Sequence, residues 1–405
     1  MHEEATARRR TGRRGRWLRR TAVLVALLLV AGVALQTWAR LSLDTSAVAR
    51  AVVWLEADVE DIDRFPARTI AAPPAARPLP DCAETRDPSE LTVTTAGERR
   101  RLDGLLRETR TRGFLVLRQG CVLLEAYGAG AGPATLLTSF SVAKSVLATL
   151  VGIALQRGDL PSLDVPVTDY LPELAEDDGR FSRVTLASLL AMGSGLHYEE
   201  RGLPWSDDAV TYYSPDLRAT ALSATIEEAP MRTWRYNNYN PLLVGMLLER
   251  ATGVSVASYA ERHLWAPLGA ERDASWSIDS EASGLEKLES GFNATLRDWA
   301  RFGLLAARAG RVGGADGAQV AEPAFWERAT SAQPTSDGVL APHYGLWWWL
   351  DEARPGAFQA RGNLGQFIHV SPSTDVVVLR FGEDFGIEDW PAVLGQVADR
   401  AVASR

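Results

Sequence analysis

Apolar residues recur three and four positions apart through the middle of the chain, from Ser139 to about Gly310. The stretches "KSVLATLVGIALQRG", "NPLLVGMLLERATG", "VASYAERHLWAPLG" and "TLRDWARFGLLAARAG" carry this spacing and predict helices, several closed by a glycine of the kind a helix C-cap requires. On either side the period changes. "FLVLRQGCVLLEAYG" is two short apolar runs around a glycine-containing turn, and "QFIHVSPSTDVVVLRFG" repeats the arrangement with "SPSTD" as the turn. "YGLWWWLDEA" has strand character, while "AGERRRLDGLLRETRTRG" and the late "WPAVLGQVADRAVA" read as helical. Strands at both ends with helices between them predict an α/β protein of the α+β type. Its antiparallel sheet is built from two distant parts of the chain, with a helical subdomain inserted between them. The cleft where the two lobes meet is the expected place for chemistry.

Ahead of this body the pattern is neither helical nor alternating. Thr21 to Ala39 is nineteen residues without a charge, preceded by twenty residues with eight arginines and two glutamates. Its length suffices to cross a bilayer as a helix, and the basic flank would stay on the cytoplasmic side. The expectation is a single-pass anchor in the cytoplasmic (inner) membrane with the rest extracytoplasmic or periplasmic. A signal peptide cut after "TWA" competes with that reading. From Arg40 to about Pro80 the chain reads as a connector ending in the proline-rich "IAAPPAARPLP". Beyond residue 20, 35 basic side chains face 49 acidic ones, a formal charge of −14, so nucleic acid is not an expected partner. The two cysteines, Cys82 and Cys121, could pair in an oxidising compartment or stand as two separate buried thiols.

Lysine and arginine together number 43, yet only two are lysines, and one of them is Lys144, three residues after Ser141. Positions i and i+3 share a helix face, so hydroxyl and amine can meet in one cleft. Arginine could not replace this lysine as a base, because a guanidinium stays protonated where a buried ammonium can lose its proton. The ordinary alternative is a capping serine beside a solvated lysine. The five histidines, His2, His197, His263, His343 and His369, show no metal-ligand spacing, and no cofactor is expected.

With "SVAK" at Ser141–Lys144, "RYNNYNPLLVGMLLERATG" containing Tyr236 and Asn238, and "ARGNLGQFIHVSP" containing Gly362, Gly365 and Gln366, the sequence resembles the serine β-lactamase and penicillin-binding-protein superfamily. The likeness runs from about Leu102 to Arg400, toward the branch that holds esterases, D-amino-acid peptidases and 6-aminohexanoate-dimer hydrolases. "LLAMGSGLHYEE", "ATLRDWARFGLL" and "DIDRFPART" are weaker matches to that branch. The resemblance implies a β-lactamase/transpeptidase-like fold over residues 96–405, after a basic flank (1–20), an anchor (21–39) and a lead-in (40–95). It further implies that Ser141 forms an acyl-enzyme, that Lys144 and Tyr236 share acid and base work, and that the Asn238 amide fixes Lys144 and binds the substrate carbonyl. The oxyanion would be held by the backbone N–H groups of Ser141 and Asn363, beside Gly362.

One position departs from the pattern. Where β-lactamases and transpeptidases carry a cation that attracts a substrate carboxylate, this chain has Ala360, with Arg361 on the opposite side of the strand. The expected substrate is therefore a small ester or amide. A β-lactamase or D-Ala-D-Ala carboxypeptidase-like enzyme is the first alternative, and a non-catalytic binding or sensory domain the second. The tryptophans of "YGLWWWL" are expected either to line the cleft or to pack between the lobes.

Overall fold

The computed structural model describes residues 2–128, 130–313, 317–336 and 338–403. Its first helix, α1 (His2–Leu41), contains the apolar segment Arg20–Leu41, whose mean hydropathy of 2.2 makes it long and apolar enough to cross a membrane by length and composition. The side chains of residues 1–16, 18 and 19, which hold most of the basic flank, lie outside the described residues. The expected connector then acquires structure of its own. Helix α2 (Ala47–Trp54), capped by Ser46, and strand β1 (Ala67–Ile70) both pack onto the body, and only the proline-rich stretch stays extended.

Strands β2 (Thr111–Arg118) and β3 (Cys121–Tyr127) form the early hairpin. The chain continues through β4 (Leu137–Thr138), α3 (Val142–Arg157), α4 (Asp207–Tyr213) and α5 (Tyr239–Thr252). It then forms β5 (Ala274–Ser277), β6 (Phe292–Ala294) and α6 (Leu296–Ala307). It closes with β7 (Trp349–Leu350), β8 (Phe358–Gly362), β9 (Gln366–Ser371), β10 (Val376–Gly382) and α7 (Trp390–Ala403). As the sequence pattern predicts, the two ends join in one antiparallel sheet of order β7-β8-β9-β10-β2-β3, with Val378 opposite Val116. A second sheet, β1-β5-β6-β4, lies on the helical side.

Alternation along the central strands divides two cores. Leu115, Leu117, Ile368, Val377 and Leu379 face α3 and α6, whereas Phe114, Val116, Phe367 and Val378 face α7 and the short helix Leu102–Glu108. The longer helix expected around that segment is cut short because Glu98–Arg101 pairs with Thr92–Thr95 as a hairpin instead. Helix α3 is buried from Val142 to Ala154, so its apolar residues wrap every side rather than one face. Gly152 lets it approach the Phe325 ring, which a Cβ would meet at 2.5 Å. Of the three tryptophans in "YGLWWWL", Trp347 and Trp348 are core residues, and Trp349 is only partly covered.

Cys82 and Cys121 are bonded, with Cα atoms 5.0 Å apart, and tie the lead-in to the start of β3. The bond closes a loop across a sequence separation of 39 residues. Replacing both cysteines by alanine is expected to lower stability by about 2–4 kcal/mol, read as the midpoint of urea unfolding. An unchanged midpoint would show that the hydrogen bonds of Cys82 and Val122 to their neighbours hold the segment alone.

Candidate active site

The chain reaches Ser141 through a sharp reversal. Phe140, buried and in the left-handed region at φ 43°, turns β4 into α3, so that Ser141 stands as the residue before the first helical turn. Ser139, just upstream, is fully buried and donates to the Ser290 carbonyl at 3.1 Å, which fixes the reversal against the loop after β5.

Lys144 follows one turn later and is 2% exposed. Its Nζ donates to Ser141 Oγ at 2.9 Å and to the Glu289 carbonyl at 2.8 Å. The amine also lies 4.9 Å from the centre of the Tyr236 ring. Sequence spacing had predicted the Ser141–Lys144 meeting, and the helix supplies it. The third element, Gly362 at the end of β8, presses against this turn: a Cβ there would meet the Ser139 carbonyl at 2.3 Å and the Ser141 amide nitrogen at 3.2 Å. Only glycine lets the strand come so close. The loop Asn363–Gly365 that follows is pinned from below. Gln366 donates to the Asn363 and Gly382 carbonyls, and Arg380, fully buried, donates to those of Leu364 and Gly365. Burial draws the Arg380 guanidinium down to about 9.

Tyr236, Asn238 and their neighbours divide the work of "YNNYN". Asn237 Oδ1 accepts from the Tyr239 amide, and Asn240 Oδ1 accepts from Ser194, so both are framework residues. Asn238 does not hold Lys144. Its Nδ2 donates to the Tyr198 hydroxyl at 2.9 Å, and its Oδ1 is buried with no donor among the described residues. The second acceptor at the lysine is the Glu289 carbonyl, which comes from a loop without periodicity. Burial raises the Tyr198 phenol well above the ordinary tyrosine range, so it stays a neutral partner for the amide.

An aromatic wall lines the Tyr236 side. Trp349 stacks on Tyr236 at 6.1 Å, and Trp234, His343 and Tyr344 surround it. Arg361 lies over the same Trp349 ring at 4.9 Å and donates to Gln359 Oε1, so it reaches the wall although it sits across the strand from Gly362. Burial pulls its guanidinium down to about 10. Ala360, fully buried, faces the core. Tyr198, Trp234 and Glu289 carried no sequence signal of their own.

A buried amine and hydroxyl in contact, at the start of a buried helix and under a glycine strand end, can pass a proton between them while a carbonyl carbon is attacked. Residues 97–397 match the family model Beta-lactamase. The 6-aminohexanoate-dimer hydrolase of Paenarthrobacter ureafaciens is 28% identical over 347 residues, covering 77% of this chain and 83% of that protein. Among solved structures, a Bacillus anthracis protein proposed to be a 6-aminohexanoate-dimer hydrolase superposes with a TM-score of 0.73 at 21% identity, over 85% of this chain and 92% of its own. A penicillin-binding protein of Bacillus halodurans superposes at 0.56 and 16% identity, over 74% and 99%. These likenesses in structure establish the β-lactamase/transpeptidase-like fold, and the family match establishes that the chain belongs to the beta-lactamase family of hydrolases.

Proposed function

We propose that the protein is a serine hydrolase that cleaves a small ester or amide through an acyl-enzyme on Ser141. The observation that carries this reading is the 2.9 Å contact between Ser141 Oγ and a Lys144 Nζ that is shut off from water. With the amine neutral, the hydroxyl donates to it, and the oxygen gains the nucleophilicity a free serine lacks. The Ser141 oxygen bonds to the substrate carbonyl carbon while its proton moves to Lys144. The oxyanion forms near the Ser141 and Asn363 backbone N–H groups, which the close approach of Gly362 supports. The leaving group departs with a proton returned from Lys144 by way of Tyr236, and water then cleaves the acyl ester.

Ala360 supports esters and small amides over substrates recognised by a carboxylate, since a buried methyl offers no counter-charge. The name of the Paenarthrobacter relative makes a 6-aminohexanoate dimer the first amide to assay. The reading also includes an N-terminal anchor through Arg20–Leu41, with the enzymatic body outside the cytoplasm.

Full-length protein in detergent is expected to turn over p-nitrophenyl butyrate. Ser141→Ala should lower kcat/KM by a factor on the order of 10³ or more, and Lys144→Arg by at least about 10²-fold, because the guanidinium keeps its proton. Turnover that survives Ser141→Ala, or a wild-type protein that takes no adduct from a serine-directed phosphonate by intact mass, would overturn the reading. Tyr236→Phe removes only the phenol oxygen and should cost about 10²-fold in kcat with little change in KM. A variant within about 3-fold of wild type would leave Tyr236 as packing for Lys144 alone.

A further inference from the structure

The second lysine of the chain, Lys287, lies on the far side of the residue that holds the first. Glu289 accepts from Lys144 through its backbone carbonyl and from Lys287 through its carboxylate, where Lys287 Nζ lies 3.0 Å from Oε1. All three side chains are buried, with Lys287 and Glu289 each 1% exposed. Ser290 donates to the same Oε1 at 2.7 Å, and Oε2 meets no donor among the described residues. Lys287 therefore supplies the one positive charge in direct contact with that carboxylate among the described residues. Its own amine is covered by aromatic faces, Phe65 at 4.2 Å and Tyr212 at 3.9 Å, and it donates to the Tyr212 carbonyl.

A buried carboxylate on the residue whose carbonyl holds the Lys144 amine has an electrostatic consequence. It favours the charged form of any amine that faces it, which is the wrong form for a base. We propose that Lys287 is a positioning residue that fixes Glu289 so its carbonyl orients the Lys144 amine, while cancelling the carboxylate charge that would otherwise hold that amine protonated. The inference rests on the functional reading of Ser141 and Lys144 above. Burial draws the Lys287 amine below the ordinary lysine range, and its contact with Glu289 opposes that shift.

The other titratable and charged groups around the pair are few. The segment after α2 contributes Asp61, paired with Arg64, and α2 contributes Arg50, bonded to the Asp279 and Tyr213 carbonyls. Helix α4 contributes Tyr212, which donates to Asp61, and Tyr213, which donates to the Leu55 carbonyl. Tyr236 lies beyond Lys144. Burial and Asp61 raise the Tyr212 phenol, so it stays neutral through the working pH range.

The test is the pH profile of kcat/KM for p-nitrophenyl butyrate between pH 5 and 9, on full-length wild type, Lys287→Met, Glu289→Gln and the double variant. In Lys287→Met the uncompensated carboxylate should move the acid limb up by roughly one pH unit. The loss of rate is then about 10-fold on the acid side and closes as pH rises. In the double variant the limb should return to within about 0.3 unit of wild type. A Lys287→Met profile lowered equally at every pH, with its limb unmoved, overturns the inference, because misfolding or lost packing scales the whole curve. Should Lys287→Met fail to fold, Glu289→Gln and the double variant decide the matter. With the carboxylate gone, the limb of each must lie at or below that of wild type, and a limb that rises in either overturns the inference. A wild-type protein that neither turns over nor takes a serine-directed phosphonate overturns the functional reading itself, and this inference with it, which separates the two failures.

Discussion

Keeping an amine dry beside a hydroxyl is the constraint from which the architecture follows. An ammonium taken out of water is costly unless every proton finds an acceptor, and an amine left free to rotate is a poor base. Lys144 has two fixed acceptors, Ser141 Oγ and the Glu289 carbonyl, and the Tyr236 ring beside it. That arrangement requires a helix start buried on all sides, a strand end that can touch it, and a loop that delivers a carbonyl from the second sheet. Helix α3, Gly362 and the segment after β5 are those three parts.

The two sheets share the task unequally. The larger one positions Gly362 and the Asn363 loop from strands that lie far from Ser141 in sequence, and its registry with β2 holds the two ends of the body together. The smaller one contributes the reversal at Phe140, because β4 pairs with β6 and so aims the chain into α3. The site thus lies on a seam between two independently hydrogen-bonded units. Its geometry depends on backbone registry more than on any mobile side chain.

Much of this was legible in the residues themselves. Periods of three and four marked α3, α5 and α6, the glycines at 158 and 253 adopt the left-handed conformation a C-cap needs, and short apolar runs separated by turn residues marked β2, β3, β9 and β10. Ser141 and Lys144 could be paired because helical spacing is a local rule. What stayed hidden depends on tertiary contact. Nothing in "GLEKLES" announces that Lys287, Glu286 and Glu289 are buried, since periodicity arguments assume charged residues face water. Asn238 was given to Lys144 by its motif, but Tyr198, from a loop forty residues earlier, competes for the amide and holds it. One signal was present. In a chain that uses arginine almost everywhere, Lys287 is the other of only two lysines.

The segment Ala47–Phe65 is part of the enzymatic body rather than a tether to it. Arg50 spans from the Leu43 carbonyl to that of Asp279, and Phe65 covers the Lys287 amine. Any cleavage behind the first helix would therefore have an inner limit. Removal of a leader ending at Ala39 would leave every one of these contacts in place. Trimming past Phe65 would uncover the Lys287 amine, which that ring covers together with Tyr212.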